Sequence, residues 1–210
     1  MIEILMADDH ILIREGLKKI LDYEIDINVK ADVKCAAEIF DFLKEDTCDV
    51  LILDINLPDM NGLDVLKQAK ILYPNLKILI LSMYPEDRFA IRALRAGAMG
   101  YLTKDSASDE LVSAIRKVNS GRKYINENVA QQLAFSIGND SDKKPHEKLS
   151  SREFQVLCMI GQGVSVHNIA DKLKLSVSTI NTYRLRILEK MKLKGNSELI
   201  HYAVQNGLTD

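Results

Sequence analysis

Five short, mainly apolar runs recur through the first half of the chain: Ile2 to Met6, Ile27 to Ala31, Val50 to Leu53, Lys77 to Leu81 and Gly100 to Thr103. A strand with one wet face alternates apolar and polar side chains, so runs this continuous predict strands covered on both faces. Between them, near residues 11–22, 36–45, 62–72, 86–96 and 108–120, apolar residues fall three and four apart, the spacing of one helix face. Strand and helix alternating five times before residue 121 predict an α/β, doubly wound, five-stranded parallel sheet. Right-handed crossovers place helices on both faces of such a sheet, and ligands bind outside the carboxyl ends of its strands. The residues that follow each strand are therefore the ones to inspect for chemistry.

The first run leads into Asp8 and Asp9, the third into Asp54, the fourth into Ser82 and the fifth into Lys104. The topology gathers all five side chains at one edge of the sheet. Three carboxylates repel one another unless a divalent cation holds them, and an oxygen-only set with room for water suits Mg²⁺. Asp54 follows the central run, and a carboxylate can attack phosphorus to give an acyl phosphate. Mg²⁺ and Lys104 would neutralise the phosphoryl oxygens, while the Ser82 hydroxyl could donate a hydrogen bond to one of them. Singly, each acid could equally be a helix N-cap, and Ser82 or Lys104 an ordinary surface residue. Together they point to phosphoryl chemistry.

The chain has 210 residues, of which 47% are hydrophobic and 28% charged, which excludes disorder and fibre and suits two small domains. No run approaches the roughly 20 apolar residues of a membrane span, and the start MIEILMADDH lacks the basic and long apolar parts of a signal peptide. The expectation is a cytoplasmic protein with no membrane association. Cys35, Cys48 and Cys158 are odd in number and without CxxC spacing, which reads as reduced thiols. The pattern places a first domain at 1–121 and a linker at 122–147 with room for one more helix over Asn128 to Ile137. A second domain follows at 148–210. The parts differ in charge: 148–210 holds nine Lys and Arg against five Asp and Glu, or +4, whereas the remainder carries −6. A small basic domain behind an acidic one suits a nucleic-acid partner.

In that basic domain Ser150 and Glu153 have capping-box spacing ahead of Phe154, Val156, Leu157 and Ile160, and Gly161 and Gly163 are expected to stop the helix. A short helix over Val166 to Leu173 and a third from Val177 to Met191, capped by Ser176, form a helix-turn-helix pattern; a fourth runs from Ser197 to about Gln205. On the third helix Ile180, Ile187, Leu188 and Met191 form the buried stripe, and Ser178, Asn181, Thr182, Leu185 and Glu189 the opposite face. Asn181 could pair with adenine, Thr182 or Leu185 could touch a thymine methyl, and Arg186 and Lys190 could reach phosphates. Thr179, at the start of the helix, is a further candidate contact. A plain helical bundle with a solvated polar face would show the same pattern.

Asp8-Asp9-His10, the run ending at Asp54 with Pro58 and Gly62 behind it, Ser82, and Gly100-Tyr101-Leu102-Thr103-Lys104 resemble the receiver domain of two-component response regulators over residues 2 to about 121. Leu149-Ser-Ser-Arg-Glu153, Gly161 to Gly163, Asn168-Ile-Ala170, Ser178-Thr-Ile180 and the run from Leu188 to Leu193 resemble the LuxR-type helix-turn-helix effector over about 148–208. Both halves together resemble the NarL/FixJ class. The resemblance implies a flavodoxin-like receiver, with Asp54 as phosphoacceptor and Mg²⁺ bound by Asp9 directly, by Asp8 through water and by the Asn56 carbonyl. It also implies Ser82 and Tyr101 as a switch pair and Lys104 as the lysine that meets the phosphoryl group. Tyr101 could otherwise be a half-buried strand residue. The resemblance further implies that Asn56 and Tyr84, at positions that in receivers tune dephosphorylation, set the phosphoryl lifetime.

The implied partners are a sensor histidine kinase, double-stranded DNA and RNA polymerase. The resemblance also implies a homodimer on phosphorylation, with Leu199, Ile200, Tyr202 and Ala203 as interface or core. Asp105 departs from the common proline after the lysine, which weakens the expectation of a cis peptide there; Asn181 and Tyr183 stand where lysine and histidine are common. These last two leave the target sequence open. The opposite charges of the two parts suggest that phosphorylation relieves masking of the basic domain; a fragment from about 148 that bound DNA no more tightly than the unphosphorylated chain would exclude this. A carboxylate-nucleophile phosphatase would need a second acid two residues after the nucleophile, where this chain has Asn56, so no dedicated enzyme is expected. The alternative is a phosphate-independent DNA-binding regulator whose receiver only dimerises, favoured if Asp54→Ala leaves target-gene output unchanged.

Overall fold

A computed structural model describes residues 1–126, 129–131 and 144–209 and divides the chain into compact units at 1–134 and 135–210. The first unit is a five-stranded parallel sheet in the order β2-β1-β3-β4-β5, with β1 at Ile2–Ala7, β2 at Ile27–Val33, β3 at Val50–Asp54, β4 at Lys77–Ser82 and β5 at Gly100–Thr103. Helices α1 (Ile11–Leu21), α2 (Ala36–Glu45), α3 (Gly62–Leu72), α4 (Glu86–Arg95) and α5 (Ala107–Asn119) connect them. The strand order reverses between β1 and β3, which opens a crevice at their carboxyl ends.

Four of the strands run one or two residues further than their predicted runs, because the parallel ladder continues past them. Ala7 pairs with Val33 and Leu53, Asp54 with Leu81, and Ser82 with Thr103. Asp54 and Ser82 are therefore held within strands rather than after them. All five residues of β3 are buried. Only Ile27 of the edge strand β2 is buried, so the prediction of cover on both faces fails there, whereas β5 at the opposite edge keeps three of its four residues buried. On one side of the sheet Ile4, Met6, Ile52 and Leu79 share a core with Leu17 and Leu21 of α1 and Leu111 and Ile115 of α5. Gly62 begins α3 hard against β3: a Cβ there would lie 2.1 Å from the Asp54 carbonyl oxygen, so any larger residue would push the loop off the strand.

The second unit has a 3₁₀ turn at Pro145–Lys148 followed by α6 (Ser151–Gly161), α7 (Val166–Leu173), α8 (Val177–Met191) and α9 (Asn196–Gln205). The capping box of Ser150 and Glu153 is formed in both directions, and the side chains of Ser165 and Ser176 cap α7 and α8. Gly161 is not the stop that the sequence suggests. α6 runs through it because a Cβ there would lie 2.6 Å from Ala203 and 2.6 Å from Thr209; the glycine lets α9 and the chain beyond it approach, and Gly163, at φ +75°, ends the turn. Both α7 and α8 end on lysines in the left-handed region, Lys174 at φ 53° and Lys192 at φ 56°. Of the extra helix expected over Asn128 to Ile137, Val129–Gln131 are helical and the rest lies outside the described residues.

Candidate functional site

The carboxyl ends of β1, β3 and β5 bring Asp8, Asp9, Asp54 and Lys104 together. Asp8 and Asp54 are each 1% exposed, and the Lys104 side chain is buried between them. Its Nζ lies 2.7 Å from Asp54 Oδ2, to which it donates a hydrogen bond, and 2.6 Å from Asp8 Oδ2, in an ion pair whose angle does not make a hydrogen bond. The other Asp54 oxygen, Oδ1, accepts from the Asn56 backbone N–H at 3.2 Å. His10 Nδ1 sits 2.7 Å from Asp9 Oδ1 and 3.1 Å from Asp8 Oδ1. One ligand atom from each of Asp8, Asp9, His10 and Asp54 falls within 4.8 Å of the others.

Burial, reinforced by the charge of Asp8, pushes the Asp54 carboxyl up, with Lys104 opposing. Burial pulls the Lys104 ammonium down, and the charges of Asp54 and Asp8 with the hydrogen bond to Asp54 outweigh it, so Lys104 stays protonated. Three carboxylates thus face one lysine, an acidic surplus on hard oxygen donors. This donor set fits a small divalent cation. Two contributors lay outside the sequence reading. Arg14 donates to the Asp8 carbonyl (2.6 Å) and to Asp32 Oδ2 (2.8 Å), fastening α1 to the ends of β1 and β2. Asp59 reaches from the loop behind Asp54 to accept from Ala36 N (2.9 Å) and Ala37 N (3.0 Å), capping α2, whose own Cys35 makes no side-chain cap. Asp59 stands 23 residues from its partner Ala36, so no local motif announces the contact.

At β4, Ser82 is fully buried and its Oγ accepts from Tyr84 N at 3.1 Å. Tyr101 is buried too, not half-buried, and its hydroxyl donates to the Tyr84 carbonyl at 2.8 Å. Burial pushes the Tyr101 phenol up, so it remains a donor. The Tyr84 ring stacks on Phe89 of α4 with centroids 4.5 Å apart. Ser82 and Tyr101 therefore grip the same residue of the β4–α4 loop, one at its N–H and the other at its carbonyl. Lys104 N donates to the Ser82 carbonyl at 2.8 Å, and no peptide among the described residues is cis, including that before Asp105.

On α8, Ile180, Ile187 and Met191 are buried and Leu188 half-buried. The opposite face exposes Ser178, Thr182, Leu185, Arg186 and Glu189, with Thr179 and Asn181 half-exposed beside it. Ser178, Thr179, Thr182, Tyr183 and Arg186 line a shallow notch of about 280 Å³. Lys190 is turned away from this face: its Nζ donates to both oxygens of the buried Glu153, at 2.7 and 2.9 Å, so α8 is tied to the start of α6. Leu199 and Ala203 of α9 are buried, Tyr202 is half-buried and bonds His146 at 2.8 Å, and Ile200 and Val204 are exposed.

Residues 4–116 match the family model for the response regulator receiver domain, and 147–203 match that for bacterial regulatory proteins of the luxR family. The chain is 36% identical over 209 residues to response regulator UvrY of Escherichia coli, covering 99% of this chain and 96% of that protein. It is also 36% identical over 211 residues to response regulator GacA of Pseudomonas aeruginosa, covering 100% and 99%. Among solved structures, the RcsB response regulator of Salmonella typhimurium shares 26% identity with a TM-score of 0.59, over 97% of this chain and 98% of that one.

Proposed function

This chain is a two-component response regulator, a receiver joined to a LuxR-type DNA-binding domain, and from that premise we propose that phosphorylation of Asp54 by a sensor histidine kinase controls dimerisation and sequence-specific binding to double-stranded DNA. The observation that carries this reading is Lys104 Nζ, buried against both Asp54 and Asp8 with Asp9 and His10 alongside. An Asp54 oxygen attacks phosphorus as the phosphorus–nitrogen bond of the donor histidine breaks, and the proton taken up by the histidine leaves with it. Asp8, Asp9, Asp54 and the Asn56 carbonyl would hold Mg²⁺, which supplies charge neutralisation at the phosphoryl oxygens when bound. Lys104 holds one phosphoryl oxygen and the Ser82 hydroxyl, whose Oγ accepts from Tyr84 N, turns its own proton to another.

A shift of Ser82 toward the phosphoryl group reaches the β4–α4 loop, because Ser82 and Tyr101 both hold Tyr84. The loop and α4 are the two-state element that phosphorylation biases. A dimer presents two α8 helices to half-sites about one helical turn apart, and RNA polymerase is the downstream partner of a bound regulator. Asn56, where a phosphatase would need an acid, supports a switch that serves no dedicated enzymatic turnover, and the cytoplasm is where such a regulator meets DNA. No helix among the described residues is long and apolar enough to cross a membrane.

The test is to incubate the full chain with Mg²⁺ and acetyl phosphate and measure intact mass, with Asp54→Asn as control. The wild type is expected to gain one phosphoryl group and the variant none. No gain in folded, Mg²⁺-replete protein would favour a phosphate-independent regulator.

A further inference from the structure

Leu185 is 61% exposed near the centre of the outward face of α8. Ser178, Thr182, Leu185 and Glu189 follow one another at i, i+4, i+7 and i+11, opposite the buried Ile180, Ile187 and Met191, so they form a single stripe along the helix. Three members of the stripe are polar; Leu185 is not, and no other large apolar side chain of the second unit is exposed on this helix among the described residues. The exposed Ile200 and Val204 lie on α9. The flank of the stripe carries Tyr183 and Arg186 at the edge of the notch, a phenol and a guanidinium suited to a phosphate backbone. A duplex whose phosphates met this flank would turn its base edges to the stripe.

We infer that Leu185 is a specificity-determining residue that reads the C5 methyl group of a thymine in the major groove. The inference rests on α8 being the reading helix of the DNA-binding domain. Base edges in the major groove present donors and acceptors at every position, and the thymine methyl is their single apolar group. A leucine has nothing to offer a donor or acceptor, so packing it over guanine, cytosine or adenine strips water from polar atoms and returns no hydrogen bond. Over a thymine methyl it buries apolar surface on both sides. The same side chain thus favours thymine and disfavours the other three bases. Thr182, the other residue with a methyl on the stripe, has its hydroxyl donating to the Ser178 carbonyl at 3.0 Å and offers a much smaller apolar surface than Leu185.

The experiment uses the full chain phosphorylated with acetyl phosphate. Binding sites are selected from a random-sequence duplex pool, and each thymine of the selected site is then replaced by deoxyuridine, which removes the methyl and leaves the hydrogen-bonding edge intact. At one thymine per half-site the replacement is expected to weaken binding about three- to fivefold, the value of one buried methyl. Leu185→Ala, whose side chain is exposed and whose fold is checked by circular dichroism, is expected to bind thymine and uracil sites alike at that position while keeping the rest of the selected sequence. Indifference of the wild type to uracil everywhere, or discrimination that survives in Leu185→Ala, would overturn the inference and leave DNA binding standing. Loss of dimer rather than of base preference in Leu185→Ala would overturn it by making the leucine a protein contact. A pool from which nothing is enriched removes the reading role of α8 and the inference with it.

Discussion

Lys104 is the counter-charge for two buried carboxylates at once, and removing it leaves both uncompensated. Breaking a buried pair by deleting one partner costs about 3–5 kcal/mol. Lys104→Met is therefore expected to lower the unfolding free energy of the first unit by that order, read as a fall in its urea midpoint, and to lose phosphoryl incorporation from acetyl phosphate in the mass measurement. The loss of stability should be smaller in Mg²⁺, because a cation among Asp8, Asp9 and Asp54 replaces part of the missing charge. The convergence of Asp54 and Lys104 was legible in the sequence because one closes a strand and the other follows one, and the carboxyl ends of parallel strands lie together. The Asp59 and Arg14 contacts were not: they depend on which loop passes which helix end, and residue order does not state it. Lys190 looked like a phosphate contact because lysines on a recognition helix usually are; the buried Glu153 beneath it claims its charge.

At the scale of elements, α2 owes its N-terminus to another segment. Asp59→Ala removes two backbone acceptors from Ala36 and Ala37, and a lost cap costs about 1 kcal/mol; the expected result is a lower thermal midpoint for the first unit, with Asp59→Asn falling between. In the second unit, Glu153 joins α6 to α8. Its burial alone would raise the carboxyl, but Lys190 and the Ser150 hydrogen bonds outweigh this and hold it below the ordinary glutamate value of 4.5. A depressed folded value gives stability that is present above pH 4.5 and is lost as pH falls through the folded value. Denaturant midpoints of the second unit should therefore drop as pH falls below that value, and Glu153→Gln should flatten the slope. The helices and four covered strands followed from periodicity, and the edge position of β2 did not, because run composition reports apolarity and not which strand lies outermost.

On the scale of the whole molecule, the residues proposed to hold the cation all belong to the 1–134 unit and the helix proposed to read DNA to the 135–210 unit. A ligand stabilises only the unit whose native state binds it, by an amount that grows with its excess over Kd. Calorimetry is expected to show Mg²⁺ raising the transition of the first unit, reversed by EDTA, while the transition of the second stays in place. A shift of both together would show that the units unfold as one.

The left-handed turns at Lys174 and Lys192 carry a cost of their own. A side chain in that region costs about 1 kcal/mol that glycine would avoid. Lys174→Gly and Lys192→Gly are expected to raise the melting temperature of the second unit and, by removing two cations from a domain of net charge +4, to weaken its hold on a polyanion. Thermal robustness and positive charge are thus set against each other at the same two backbone positions, and the chain as it stands carries the charge.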